Sequence, residues 1–226
     1  MTNGKLIVIE GTDCSGKETQ AKLLLSKLKN DGIRIEERAF PMYNTPTGKI
    51  IGGPLLGKSY IGESFFESGV SKIDPKVAAL YYAADRLYNI KEINELLSKG
   101  VNVILDRYVE SNMGHQAGKL SSKEEKIEMM NWLEKLEYDL LELPRPDVVI
   151  FLFMPYQYTI ELRNKRGEAP DEVEKDVEYL RNAEKTYSLM AEKYNYDIIY
   201  CVKDDNIRTI EEINNDVYNL VKDKLK

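Results

Sequence analysis

The chain has 226 residues, 42% hydrophobic and 31% charged, with a formal net charge of −6. That length fits one domain with one sizeable core. The acidic balance argues against a broad electrostatic grip on nucleic acid, while small anionic ligands remain open to a local cationic cluster. Cys14 and Cys201 match no metal spacing and no disulfide framework, which implies a reduced, cytoplasmic chain. No apolar run is long enough to span a bilayer, and Met1–Lys5 leads into a strand pattern rather than a secretory signal, so no membrane partner is expected.

In chain order, Lys5–Glu10 reads as a first strand. Gly11-Thr12-Asp13-Cys14-Ser15-Gly16-Lys17 follows, with the spacing G-x-x-x-x-G-K. A Gly-rich loop between a buried strand and a helix cradles an oligophosphate: its N–H groups and the helix N-terminus supply positive potential, and the lysine reaches the terminal phosphates. Glu18 stands where that motif has Ser or Thr for Mg²⁺, and a carboxylate there repels phosphate unless it faces water or contacts Mg²⁺ through a water. Gly16–Lys29 carries leucines at helical spacing and Asp31-Gly32 closes it. Ile33–Phe40 is a second strand, and residues 44–73 read as a loop with short helices. Asp74-Pro75 starts a helix to Ser98, N-cap followed by proline in the first turn.

Val101–Leu105 is the third strand, ending at Asp106. A capping box from Ser122 to Glu125 opens a helix to Leu143. Val148–Met154 is a strand apolar enough to be buried on both faces. Helices are expected over Pro155–Arg166 and Pro170–Lys193, a fifth strand over Asp197–Val202, and a closing helix over Asn206–Lys224. Strands alternating with helices imply an α/β fold, three αβα layers around a five-stranded parallel sheet, which with the phosphate loop is a P-loop NTPase fold. Ligands then sit at the carboxyl ends of the strands, which places 11–17, Phe40-Pro41 and Asp106-Arg107-Tyr108 on one rim.

Glu10-Gly11-Thr12-Asp13, Gly16-Lys17, Phe40-Pro41, Tyr82-Ala83-Ala84-Asp85-Arg86, Asp106-Arg107-Tyr108, Ser111 and Pro144-Arg145-Pro146-Asp147 occur in the order and spacing of the thymidylate kinases, and the resemblance spans nearly the whole chain. It implies a nucleoside-monophosphate-kinase-like single domain over 1–226, transferring the ATP γ-phosphoryl to dTMP with Mg²⁺. Gly11 to Thr19, through Cys14, Ser15 and Glu18, would surround ATP, with Lys17 on its phosphates. Asp13 resembles the carboxylate that holds the acceptor's 3′-hydroxyl. Tyr82 resembles the aromatic that stacks on the base, Arg86 the arginine on the pyrimidine edge, and Arg107 the one that bridges both phosphates. Phe40, Pro41, Ser111 and Gln116 resemble further acceptor contacts. The resemblance also implies a homodimer.

The phosphate loop has no arginine, so a lid over about 163–172 would supply it, as in the bacterial subtype, from Arg163 or Arg166. Asp106 and Glu10 are the candidates for Mg²⁺, through water. After Phe40-Pro41 the family has an acidic residue and then an arginine for the acceptor phosphate; this chain has Met42-Tyr43. Either Tyr43 donates a neutral hydrogen bond, or Arg38, Lys49 or another cation compensates. His115 replaces an aromatic that lies against the sugar, and reads as packed and neutral. Two rivals stay open: another pyrimidine nucleotide or deoxynucleoside kinase, and a nucleotide-binding protein with weakened catalysis.

Overall fold

Two alternating sets of apolar side chains on the same strands organise the molecule. In a computed structural model, residues 3–12, 14–67, 69–159, 162 and 177–225 are described. Strands β1 (Leu6–Gly11), β2 (Ile35–Ala39), β3 (Asn102–Asp106), β4 (Val148–Phe153) and β5 (Asp197–Tyr200) form one parallel sheet in the order β2-β3-β1-β4-β5. Successive side chains point to opposite faces. Leu6, Val8, Val103, Leu105, Val149 and Phe151 enter one core; Ile7, Ile9, Ile104, Ile150 and Leu152 enter the other. Helices α1 (Lys17–Asn30) and α7 (Ile210–Lys224) cover the second face. Helices α3 (Pro75–Ser98), α4 (Val109–Ala117), α5 (Lys123–Glu134) and α6 (Val177–Tyr194) cover the first. This is the expected three-layer α/β architecture. Among the described residues, no helix is long and apolar enough to cross a membrane.

Several boundaries differ from the sequence reading. The helix α4 was not expected. It is almost wholly buried although it carries Glu110, Ser111, Asn112 and Gln116, so it shows no apolar stripe for a periodicity argument to find. The helix begun at Ser122 keeps its capping box, but changes to wide π-type turns over Lys135–Leu140. The closing helix starts at Ile210, behind a second capping box of Thr209 and Glu212. Its expected first turn is instead a hairpin, β6 (Val202–Lys203) and β7 (Asn206–Ile207). Asp204 and Asp205 make that turn with φ of 49° and 57°, left-handed values that short polar side chains tolerate. Within 44–73 lie α2 (Pro46–Ile50), one wide turn over Ile51–Leu55 and a 3₁₀ turn over Val70–Lys72. They close a small apolar cluster of Ile51, Leu55, Leu56, Val70, Ile73 and Ala78.

Burying a polar helix has an electrostatic consequence. Glu110 accepts a hydrogen bond from the Tyr138 hydroxyl at 2.6 Å, and its Oε2 is buried with no partner. Burial, together with the Glu10 charge, pushes its carboxyl up to about 7 from an ordinary 4.5. The folded state keeps a proton that the unfolded chain has already released. Stability should therefore fall as pH rises from about 4.5 towards 7 and level off above that. At about 1.4 kcal/mol per pKa unit, the loss is about 3–4 kcal/mol at most. Urea unfolding at a series of pH values should show this slope in the wild type and a flatter one in Glu110→Gln. An unchanged slope in the variant would assign the effect elsewhere.

Candidate active site

The parallel register brings the carboxyl ends of β1, β2 and β3 to one edge. Ile9 pairs with Asp106, and Ala39 also pairs with Asp106. Beyond the strands, the Phe40 N–H donates to the Asp106 carbonyl at 3.0 Å and the Arg107 N–H to the Ile9 carbonyl at 3.2 Å. The loop after β1, Phe40-Pro41 and Asp106-Arg107-Tyr108 therefore do share one rim. Pro144-Arg145-Pro146-Asp147 lies at the other end of the strands, where Asp147 exchanges hydrogen bonds with Leu6 at the start of β1.

The phosphate loop is closed around Lys17. Its ammonium is buried and donates to the carbonyls of Gly11 at 2.9 Å and Thr12 at 2.7 Å. Gly16 precedes α1 with φ 83°, a conformation open to glycine at little cost, and Cys14 adopts φ 58°. The Thr12 hydroxyl ties the loop to the Met154 carbonyl beyond β4. Ser15 is buried, and Thr19 is exposed on α1. Glu18 pairs with Lys22 one turn along the exposed face of α1, so its carboxylate faces water rather than phosphate.

Glu10 is fully buried beneath this loop. One oxygen accepts the Tyr108 N–H at 2.8 Å; the Ser111 hydroxyl sits 2.9 and 2.8 Å from its two oxygens, and the Tyr187 hydroxyl is 3.4 Å away. Burial raises its pKa, against the pull of the Arg107 and Lys17 charges. Both oxygens accept hydrogen bonds, so this carboxylate braces the segment after β3. Asp106 differs. Its Oδ1 is buried with no hydrogen-bond partner, and burial raises its pKa while Arg107 and Lys17 oppose the rise. Among the described residues, no group of three or more His, Cys, Asp or Glu forms a metal cluster. Asp106 is the one of the two candidates with a spare buried oxygen that suits a hydrated cation.

Arg107 sits at φ 67°. Holding a non-glycine residue there costs about 1–2 kcal/mol. Its Nη1 lies 3.4 Å from His115 Nε2. A guanidinium only donates, so in this contact the ring nitrogen is the acceptor. His115 stacks on Tyr179 at 5.8 Å between ring centres and meets Tyr187 edge-on at 5.7 Å. Both are on α6, so His115 is packed between aromatic rings.

Around the end of β2, Phe40 and Met42 are buried core residues and Pro41 is half-buried after a cis peptide bond. Tyr43 and Tyr82 are half-buried against the small apolar cluster of the 44–73 segment. Arg86 is buried and doubly paired with Glu137: Nε contacts Oε2, and Nη2 lies 2.7 Å from Oε1. Its Nη1 donates to the Tyr108 carbonyl at 3.2 Å. Burial works against its charge and Glu137 more than restores it. Asn112 also donates to Glu137, at 2.9 Å. Gln116 is buried, with Oε1 unpartnered.

Sequence reasoning missed Glu137 as a partner of Arg86, and it missed the task of Asp85. The Asp85 carboxylate accepts the Met42 N–H at 2.9 Å, the Thr47 hydroxyl at 2.7 Å and the Asn89 amide at 2.9 Å, which fixes the turn after Pro41. The adjacency of Asp85 to Arg86 was the only available signal. Asp13, Arg163, Arg166 and the segment 163–172 lie outside the described residues, apart from this geometry.

Comparison with known proteins decides the family. The sequence model described as Thymidylate kinase matches residues 9–213. The chain belongs to the thymidylate kinase family. It is 33% identical to a probable thymidylate kinase of Pyrococcus horikoshii, over 98% of each chain. It is 31% identical to the thymidylate kinase of Plasmodium falciparum, over 95% of this chain and 88% of that one. The solved thymidylate kinase of Candida albicans superposes with a TM-score of 0.74 at 24% identity, covering 99% of this chain and 94% of the other, which supports the fold.

The Arg86–Glu137 pair is the site's most exposed point of failure. Glu137→Ala would leave a buried guanidinium without its carboxylate, which costs about 3–5 kcal/mol. Denaturant unfolding should register that loss; a variant as stable as the wild type would contradict it.

Proposed function

We propose that the rim works as a phosphoryl-transfer site in which Lys17 and Arg107 draw two phosphates together. The reaction is the family's: the γ-phosphoryl of ATP passes to dTMP, giving dTDP and ADP. One observation carries the residue roles: the register of β1 against β3 sets Lys17, Arg107 and Asp106 at one strand edge, near enough for both cations to act on the Asp106 and Glu10 carboxylates.

Phosphoryl transfer asks a protein for positioning and charge neutralisation. Residues Gly11 to Thr19 would take the donor phosphates on backbone N–H groups and the Lys17 ammonium. Arg107 would lie between donor and acceptor, its planar fork suited to two phosphate oxygens. The acceptor phosphate, with a second pKa of about 6, is already ionised near neutral pH, so no strong base is needed. Neutral His115 therefore shapes the pocket and orients Arg107. Mg²⁺ bound with ATP would supply charge screening, and Asp106 would hold it through water.

Tyr82 would stack on the pyrimidine. Arg86 has three of its five N–H groups committed to Glu137 and Tyr108, so its remaining edge is the part available to the base. Tyr43, Ser111 and Gln116 would line the acceptor side, with Asp13 on the 3′-hydroxyl. The lid over 163–172 would contribute Arg163 or Arg166, the bacterial arrangement, within a single domain. Association into a homodimer is supported by an apolar stripe on α3, where Val77, Leu80, Tyr81, Leu87 and Tyr88 are exposed at helical spacing. Cysteine usage supports a cytoplasmic setting.

An ADP-release assay over dTMP, dUMP, UMP, CMP and thymidine tests the acceptor. dTMP should give the highest kcat/KM, and comparable efficiency on UMP or CMP would overturn that preference. Lys17→Ala and Arg107→Ala should each lower kcat by about 100-fold or more, as expected for removing a transition-state charge stabiliser, with a cooperative unfolding transition showing that each variant still folds. Near-normal turnover in either variant would remove that residue from the mechanism.

A further inference from the structure

Tyr82, Asp85, Arg86 and Asn89 share one face of α3, at spacings of three and four residues. The reading above gives Tyr82 and Arg86 to the acceptor's base. Asp85 stands between them, buried, and its carboxylate is committed to another part of the molecule, the turn that leaves β2. One oxygen accepts the Met42 N–H at 2.9 Å. The other accepts the Thr47 hydroxyl at 2.7 Å and the Asn89 side-chain amide at 2.9 Å. All three donors are neutral, so the carboxylate serves here as a double acceptor rather than as half of an ion pair.

The turn that Asp85 holds is closed on itself. The Met42 carbonyl accepts from the Thr45 N–H at 2.9 Å and from the Thr45 hydroxyl at 2.8 Å. That hydroxyl in turn accepts the Gly48 N–H at 3.2 Å and caps α2. Gly48 lies so near that a Cβ there would stand 1.9 Å from the Met42 carbonyl oxygen. The turn therefore moves as a unit, and Tyr43 lies between the two points, Met42 and Thr47, that Asp85 grips. It starts where the Phe40 N–H joins the Asp106 carbonyl, on the strand edge that also carries the phosphate loop and Arg107. Of the cations that the sequence offered at this turn, Arg38 is engaged with Glu92 and with the Glu37 carbonyl at 2.7 Å, and Lys49 is exposed on α2. What the fold builds here is an attachment between the turn and α3.

We propose that Asp85 is a positioning residue for the acceptor: it sets the spacing between the residues that hold the base and the turn that meets the 5′-phosphate, and so selects a nucleoside monophosphate over the bare nucleoside. The task needs two acceptor oxygens on a short, rigid stem. Met42 occupies one oxygen, and Thr47 and Asn89 occupy the other, so a single oxygen cannot serve both sides. An ionised carboxylate accepts at both oxygens, whereas an amide accepts at one and donates at the other. A ligand that carries both a base and a phosphate spans the two elements that Asp85 joins; a nucleoside touches only the α3 side. The inference rests on the acceptor-site reading given above.

Calorimetric titration of the full-length protein with dTMP and with thymidine tests this, because the two ligands differ only in the phosphate. Asp85→Ala should weaken dTMP binding about ten-fold or more, the scale of a lost hydrogen bond to a charged group, and leave thymidine binding within about two-fold of the wild type. It should raise the KM for dTMP while kcat at saturation and the KM for ATP stay near their wild-type values. Asp85→Asn keeps one acceptor oxygen and should recover part of the dTMP affinity. Thr47→Val removes the turn's side of the contact and leaves every α3 residue in place. It should weaken dTMP binding in the same selective way, and it decides the matter if the alanine variant does not fold. A Thr47→Val protein that binds dTMP like the wild type, or variants that lose dTMP and thymidine equally, overturn the assignment of Asp85. Wild-type protein that fails to bind dTMP at all overturns the acceptor reading itself, and this inference with it.

Discussion

The carboxylate of Glu10 is the constraint on which the site is built. It ends the central strand and accepts from the backbone and side chain of the segment that follows β3. Without those acceptors, the chain would have little reason to pass through the left-handed conformation of Arg107, which costs about 1–2 kcal/mol. With them, the strained residue is fixed between Ile9 and Tyr108, and its guanidinium reaches His115 on α4. The same carboxylate reaches Tyr187 on α6, so the strand edge, the arginine turn and a helix from late in the chain share one anchor. Burying that charge is unfavourable, and the fold offsets it with the hydrogen bonds and the two nearby cations Lys17 and Arg107.

The second organising element is the helix α3, whose consecutive residues Asp85 and Arg86 each take a partner from distant sequence. Asp85 holds the turn at Met42–Thr47, and Arg86 holds Glu137 and the Tyr108 carbonyl. A buried guanidinium–carboxylate pair contributes little net stability, because desolvation consumes most of the attraction. Its value is geometric. It locks the α3 residues nearest the acceptor side to both the arginine turn and the wide-turn segment after α5, and a hydrophobic pair of equal volume could not fix those orientations.

What the sequence made legible was local. The glycine spacing of the phosphate loop, the Asp74-Pro75 helix start and the Ser122–Glu125 capping box each depend on a few adjacent residues, and each stands where the pattern put it. What it hid was long-range. Glu137 lies 51 residues from Arg86, and Ser111 lies 101 from Glu10, so neither pairing leaves a local trace. The helix α4 is the clearest case. Its polar residues would place it at the surface by composition, but they are buried because they face Glu10, Glu137 and Ala79 instead of water. Glu10 itself was visible as a candidate for Mg²⁺; its part as a strut shows only in its hydrogen bonds to distant residues. Glu18, the departure from the phosphate-loop pattern, is accommodated because the first turn of α1 points it at Lys22.

The two faces of α3 connect the acceptor side with the surface. Asp85, Arg86 and Ile90 face inward, while Val77, Leu80, Tyr81 and Tyr88 are exposed on the opposite side. The buried face of α3 is mostly apolar, with Ala78, Ala79, Ala83, Ile90 and Ile93 around this charged pair, and the outer face is apolar as well, unlike the usual surface helix. The inward charges are explained by the turn and the arginine they hold. The outward apolar residues are explained by nothing within the described chain, and covering them would remove the solvent-facing freedom of the one helix that carries both Tyr82 and Arg86. Under the proposed roles of Tyr82 and Arg86 in holding the base, association through that face would stiffen their helix without contributing a residue to the site, so its effect should fall on acceptor affinity rather than on the phosphoryl-transfer step itself.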